Sequence, residues 1–183
     1  AVQELKDSGW GVSIVSVASS ELIVGTHAGS QLYVYSTAGS HVTSIALPAG
    51  DTQLWDAQWI PRGHIVCTTY KSKKVFVLSR SGQVISQTQM TDPRCLSVST
   101  DDVIYLADGQ SGVHQSTDDG VTWSHVFKSP DGLHCNQVIK VSTDRHTDVW
   151  WTLEWSQFNF RLRVYTVDRR LADGGLTWRD VTV

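Results

Sequence analysis

The side chains best suited to chemistry stand in four short segments: GWG at 9–11, LWD at 54–56, PRC at 93–95 and LHC at 133–135. Aligned on one another, they place Trp10, Trp55, Arg94 and His134 in one column and Gly11, Asp56, Cys95 and Cys135 in the next. Indole faces and a guanidinium plane are stacking platforms for bases, sugars and peptide side chains. A second group, His27, Tyr70, Lys71, Gln110, Trp155 and Phe158, falls in segments expected to rim the same end of the molecule. The competing reading is that Trp10 and Trp55 only fill space, because a chain with 8 tryptophans must bury most of them.

Other chemistry is less well supplied. Cys95, Cys135 and His134 are zinc-type ligands, but His134 and Cys135 are adjacent on an expected strand and point to opposite sides, so no metal site is expected. STDD at 99–102 and STDR at 142–145 read as turns, and DRR at 168–170 reads as a charged strand end. The sequence contains no P-loop, no GxSxG and no HExxH. No Ser/His/Asp grouping follows from spacing, and no catalytic residue or cofactor is expected.

The elements that must position these residues are short strands. VSIVSV, ELIVGT, QLYVYS, HIVCTT, KVFVLS, DVIYLA, VIKVS, DVWWTL and RLRVYTV are rich in β-branched and aromatic residues and bounded by Ser, Gly, Asp or Asn. Grouped in fours they form a repeat whose third turn holds Gly39, Gly82, Gly120 or Gly175, at spacings of 43, 38 and 55 residues. This is the period of a four-stranded propeller blade. The expected fold is an all-β propeller with four recognisable blades, a complete small ring or part of a larger one. It forms one domain over 1–183, with blades near 9–50, 51–91, 92–131 and 132–183 and an extra outer strand at 1–8.

The totals narrow the class further. At 183 residues one domain is the default. No apolar run approaches the length of a membrane helix, so no membrane association is expected. A formal net charge of −3 gives no global attraction to nucleic acid. Three cysteines without a CxxC pair argue for a reducing compartment, and AVQELKDSGWG lacks a signal-peptide pattern, so a cytoplasmic location is expected.

The stretch STDDGVTW at 116–123 resembles the Asp-box (BNR repeat) turn of sialidase-type propellers, with Ser116, Asp118, Gly120, Thr122 and Trp123 matching. LADGGLTW at 171–178 is a degenerate copy, with Asp173, Gly175, Thr177 and Trp178 matching and Leu171 departing. The residue types are those of a hairpin staple: an aspartate that binds nearby backbone N–H groups, a glycine for an unusual backbone angle and a tryptophan that buries area. The motif is therefore expected to fold the chain and not to perform catalysis. A sialidase would also need an arginine cluster and a tyrosine nucleophile with an acidic partner, and no such triad is identifiable.

The remaining segments, GWGVSIVSVASSELIVG, LWDAQWIPRGHIVCTT, VFVLSRSGQVISQTQ and DPRCLSVSTDDVIYLAD, resemble the NHL-like propellers of invertebrate tripartite-motif-type proteins. That resemblance implies an interaction module that binds protein or RNA. The expected function is non-catalytic ligand binding at the channel mouth, with a protein, RNA or glycan as ligand and Trp10, Trp55, Asp56, Arg94, His134, His27, Tyr70, Lys71 and Trp155 as the site. The alternatives are a sialidase-like, glycan-processing hydrolase and a fragment that completes its ring as a homo-oligomer.

Overall fold

A computed structural model describes residues 12–18, 20–27, 29–48, 53–142, 146–156, 159–171 and 175–181. Trp10, Gly11, Phe158, Asp173 and the strand expected at 1–8 lie outside the described residues. The described residues contain sixteen strands and no helix.

The strands form four antiparallel four-stranded sheets in simple meander order. The first holds β1 (Val12–Ala18), β2 (Glu21–Thr26), β3 (Gln31–Ser36) and β4 (His41–Ala46). The second holds β5 (Leu54–Ile60), β6 (His64–Thr69), β7 (Lys74–Leu78) and β8 (Val84–Gln89). The third holds β9 (Pro93–Val98), β10 (Ile104–Asp108), β11 (Gly112–Ser116) and β12 (Ser124–Phe127). The fourth holds β13 (His134–Ser142), β14 (Thr147–Ser156), β15 (Asn159–Asp168) and β16 (Thr177–Asp180). Each sheet is one blade of the architecture expected from the repeat.

The glycine of the third turn is a conformational requirement. Gly39, Gly82, Gly120 and Gly175 all have positive φ, at 84°, 85°, 73° and 44°. A side chain is strained there, which explains why the glycine recurs while most of its surroundings change.

Burial follows the faces of the sheets. In the fourth sheet, β14 alternates strictly between half-buried and buried positions along Thr147–Trp155, as a strand with two unlike faces must. The core divides into three clusters, one at each junction between consecutive sheets. Ile23, Leu32, Val34, Leu54, Phe76 and Leu78 join the first and second sheets. Ile60, Val66, Val77, Leu96, Ile104 and Leu106 join the second and third. Tyr105, Val113, Phe127, Cys135, Trp150 and Tyr165 join the third and fourth.

Contact between sheets is sequential. The inner strand β1 packs on β5, β5 on β9 and β9 on β13. Among the described residues no strand of the first sheet packs extensively on a strand of the fourth. The outward faces of these end sheets are apolar. Val17 is 62% exposed beside Leu22 on the first, and Ile139 is 58% exposed beside Trp151 on the fourth.

The turn at 116–123 is built as its residue types require. Ser116 Oγ donates to Asp118 Oδ1 at 2.9 Å and accepts from the Gly120 N–H at 2.9 Å. Asp118 accepts from the Thr122 N–H at 2.9 Å and from the Thr122 hydroxyl at 2.6 Å. Trp123 Nε1 donates to the Gly120 carbonyl at 3.0 Å. The closed turn docks on the preceding sheet, where Thr88 Oγ1 donates to the Gly120 carbonyl at 3.0 Å and Ser86 Oγ donates to the Asp119 carbonyl. The staple therefore fixes its own hairpin and also the junction between two blades.

Candidate functional site

The site is positioned by one irregularity repeated in all four sheets. Each inner strand slips register against its neighbour near its start: between Val12 and Ile14, between Leu54 and Asp56, opposite Ala107 in the third sheet, and between Cys135 and Gln137. A bulge adds a residue to one strand and re-aims its side chain. In the second sheet that residue is Trp55, in the third the slip falls at Arg94 and Cys95, and in the fourth it is Asn136. Of the column read from sequence alignment, Trp55 and Arg94 both stand at the slip. In the first sheet the slip falls at Ser13 and in the fourth at Asn136, not at the assigned Trp10 and His134, because residue spacing alone does not locate a bulge.

Arg94 is the centre of the assembly. Its guanidinium carbon lies 5.3 Å from the Trp55 ring and 5.2 Å from the Trp155 ring, so the cation stands between two indoles. Nε and Nη2 donate to Asp92 Oδ2 at 3.0 and 2.8 Å, and Nη1 donates to Asn136 Oδ1 at 3.1 Å. With 11% of its side chain exposed, Arg94 is held in place and not free to capture an anion.

Aromatic contacts extend this stack in both directions. His27 meets Trp55 edge-on at 4.6 Å, and Tyr70 stacks on Trp55 at 5.5 Å. His134 lies 5.5 Å from Trp155, and Phe160 stacks on Trp155 at 6.4 Å. The outermost rings are open to solvent, Tyr70 at 50% and Phe160 at 75% exposure. His27 is also tied to the Leu54 carbonyl by Nδ1 at 3.0 Å. The His134 Nδ1 and Trp155 Nε1 atoms are buried without a hydrogen-bond partner among the described residues.

A carboxylate in the third sheet supports the stack from behind. Asp108, fully buried, accepts from the backbone N–H groups of Thr91, Asp92, Gln110 and Ser111 at 2.9–3.0 Å. Burial would raise its pKa, but these donors outweigh it and hold the carboxyl below the usual range. Their effect is to fix the loop that presents Asp92 to Arg94. Gly109 completes the arrangement, since a Cβ there would collide with Asp92 Oδ2 and lie 2.5 Å from Arg94 Nε.

The structure thus brings together Trp55, Arg94, Trp155, His27, Tyr70 and His134. Lys71 and Gln110 are exposed at neighbouring turns and join no part of the stack. Sequence reading missed Asp92, Asn136, Asp108 and Phe160. The one legible signal was the DxR spacing of Asp92 and Arg94, which places an acid beside the cation.

Below the stack, Asp56 lines an open cavity of about 450 Å³ with Trp55, Gln58, Cys95, Ser97 and Gln137. A second cavity of about 330 Å³ continues along the inner strands, sharing Gln58 and Val98. Asp56 Oδ1 accepts from the Ala57 N–H at 2.8 Å, and Oδ2 accepts from the Leu96 N–H on the next sheet at 2.7 Å. Burial raises its pKa to about 6. Burial, with Asp56 nearby, pushes the Cys95 thiol up to about 12, and burial also raises Cys135. Both are thiols at neutral pH. Among the described residues no group of three or more His, Cys, Asp or Glu side chains is arranged to hold a metal ion.

A tyrosine–carboxylate pair does exist elsewhere. Tyr165 Oη donates to Glu154 Oε1 at 2.5 Å, and Arg163 Nη1 donates to Glu154 Oε2 at 3.1 Å. These groups face the third sheet, where Ser129 Oγ also donates to Glu154 at 2.7 Å and Arg163 reaches Asp131. Tyr165 and Arg163 are 0% and Glu154 1% exposed, so no substrate reaches them. They clamp two blades together.

The fold is a β-propeller. Among solved structures the chain is similar to a catalytically inactive virginiamycin B lyase from Staphylococcus aureus with quinupristin, at 15% identity and a TM-score of 0.73 over 96% of this chain and 57% of that one. It is also similar to YCF48 bound to D1 peptide, at 13% identity and a TM-score of 0.62 over 95% and 51%. For BamB from Moraxella catarrhalis the values are 13% and 0.64 over 92% and 49%. These are β-propeller proteins, and the chain spans about half the length of each. No protein-family model matches it, and no curated protein matches its sequence.

Proposed function

We propose that this chain is a non-catalytic interaction module that binds a polypeptide across the propeller mouth. The observation that supports this reading is the stack Tyr70–Trp55–Arg94–Trp155–Phe160, locked at its centre and exposed at its ends. A rigid aromatic surface gives contact area with little ordering cost. A cation already committed to Asp92 leaves the centre of the stack without a free anion receptor, which disfavours RNA phosphates and sialic acid carboxylates there. YCF48, one of the similar structures, was solved with a bound peptide. The virginiamycin B lyase likeness keeps the enzyme alternative in view. We read the turns at 116–123 and 171–178 as Asp-boxes, and the repeats as NHL-like.

The test is selection of a phage-displayed peptide library on the wild-type protein, with selected peptides measured against Tyr70→Ala and Phe160→Ala. Loss of about tenfold or more in affinity supports the reading. Peptides that bind both variants as tightly as wild type overturn it. Turnover of a fluorogenic sialoside would establish the hydrolase instead.

A second reading follows from the exposed apolar end faces around Val17 and Ile139. We propose that a second copy of the chain covers them by ring completion, since each resembles the sheet faces already joined inside the molecule. Light scattering at several concentrations tests this: a mass that doubles from 20.3 kDa and reverts in Ile139→Asp supports it, and a constant monomer overturns it.

A further inference from the structure

The cavity beneath Trp55 contains a charge without a counter-ion. Asp56 forms no ion pair among the described residues, and its hydrogen bonds come from the neutral Ala57 and Leu96 N–H groups and the Gln58 side chain. The cation on the neighbouring strand, Arg94, is turned toward Asp92 and Asn136. Asp56 is half-buried, and a carboxylate partly withdrawn from water gains from a positive partner. Here the carboxylate lines open space instead of a lysine or arginine.

The rest of the lining fits the missing partner. Ser97 and Gln137 supply hydroxyl and amide oxygens, Gln58 accepts from Ser16 Oγ at 3.1 Å and turns its amide to Asp56, Trp55 borders the space with its ring edge, and no other side chain in the lining is ionised at neutral pH. Oxygen acceptors around one carboxylate are the groups that recognise a compact ammonium. At about 450 Å³ the cavity is large enough for an alkyl chain.

We propose that this cavity receives an alkylammonium group, the side chain of a lysine carried by the polypeptide ligand. Asp56, held by the Gln58 amide, takes the charge, Ser97 and Gln137 accept the remaining hydrogen bonds, and the Trp55 edge borders the methylene chain. The lysine assignment rests on the mouth binding a polypeptide, but ammonium recognition does not.

Titration with 1,5-diaminopentane, followed by the NMR signals of the Gln58 and Gln137 side-chain amides, separates the two. The expected result is a saturable shift in the wild type. Apparent affinity should fall about tenfold in Asp56→Asn and be abolished in Gln137→Lys, which places its own ammonium in the cavity. Tyr70→Ala should still bind the diamine. Selected peptides should contain a lysine whose replacement by norleucine weakens binding to a similar degree. No saturable shift in the wild type, or equal binding by Asp56→Asn and Gln137→Lys, overturns ammonium recognition while leaving the mouth reading intact. Diamine binding with lysine-free peptides confines the cavity to free amines and overturns the lysine assignment.

Discussion

Asp92 and Arg94, two residues apart on one strand and the turn before it, are joined by two hydrogen bonds to a single carboxylate oxygen, and this pair sets the spacing of Trp55 and Trp155. The arrangement turns a cation into a spacer. Arg94→Lys keeps the charge but loses the plane that stacks between the indoles. We expect it to lower stability by about 1–2 kcal/mol in urea unfolding and to alter the near-ultraviolet circular dichroism of the tryptophans. Arg94→Ala should cost about 3 kcal/mol because Asp92 is left without its partner.

Gly109 is needed for space. Alanine there would push Asp92 and Arg94 apart, while the backbone bonds to Asp108 resist movement of the loop. Gly109→Ala is expected to weaken ligand binding at the mouth at least as much as Tyr70→Ala. A calorimetric titration with a selected peptide would check this.

The stapled turn should behave oppositely. Ser116→Ala removes an oxygen that bonds both Asp118 and the Gly120 N–H, and the expected loss is about 1–2 kcal/mol of stability. Peptide affinity should be unchanged, because the turn joins blades and does not touch the stack. Chemical denaturation and a binding isotherm on one sample test both halves.

Asp56 gives a pH signature with an unusual sign. Its folded pKa of about 6 lies above its ordinary 3.8, so the folded state holds the proton more tightly. That contribution to stability is fully present below about pH 4 and lost as the pH rises through about 6. Between pH 7 and 4 the wild type should gain about 2 kcal/mol relative to Asp56→Asn. Asp108, Asp118, Asp131, Asp148 and Asp168 are all shifted down, so their contribution is present above about pH 4 and lost below it. Stability of both proteins measured across that range checks the crossing.

The blade pattern was legible because it is local. Alternating burial, turn glycines and β-branched runs are short-range consequences of a pleated strand, and Gly39, Gly82, Gly120 and Gly175 mark the same turn in sequence and structure. Trp55 and Arg94, singled out as one column, and Trp155, singled out at the rim, lie in one stack. The bulges were not. They moved Asn136 into the place assigned to His134, and an inserted residue leaves no compositional trace. Asp108 was hidden for another reason: its four partners are backbone groups, which every residue has.

The division of the core into three separate clusters makes the molecule a chain of coupled units and not one indivisible body. In such an array each unit is stabilised only by its neighbours, so the ends fray before the middle. Trp55 belongs to the second sheet, Arg94 to the third and Trp155 to the fourth, so the stack crosses two of the three joints. Whatever rests on those rings therefore works as a splint: it raises the cooperativity with which three sheets melt together, and the first is coupled to them through His27 against Trp55.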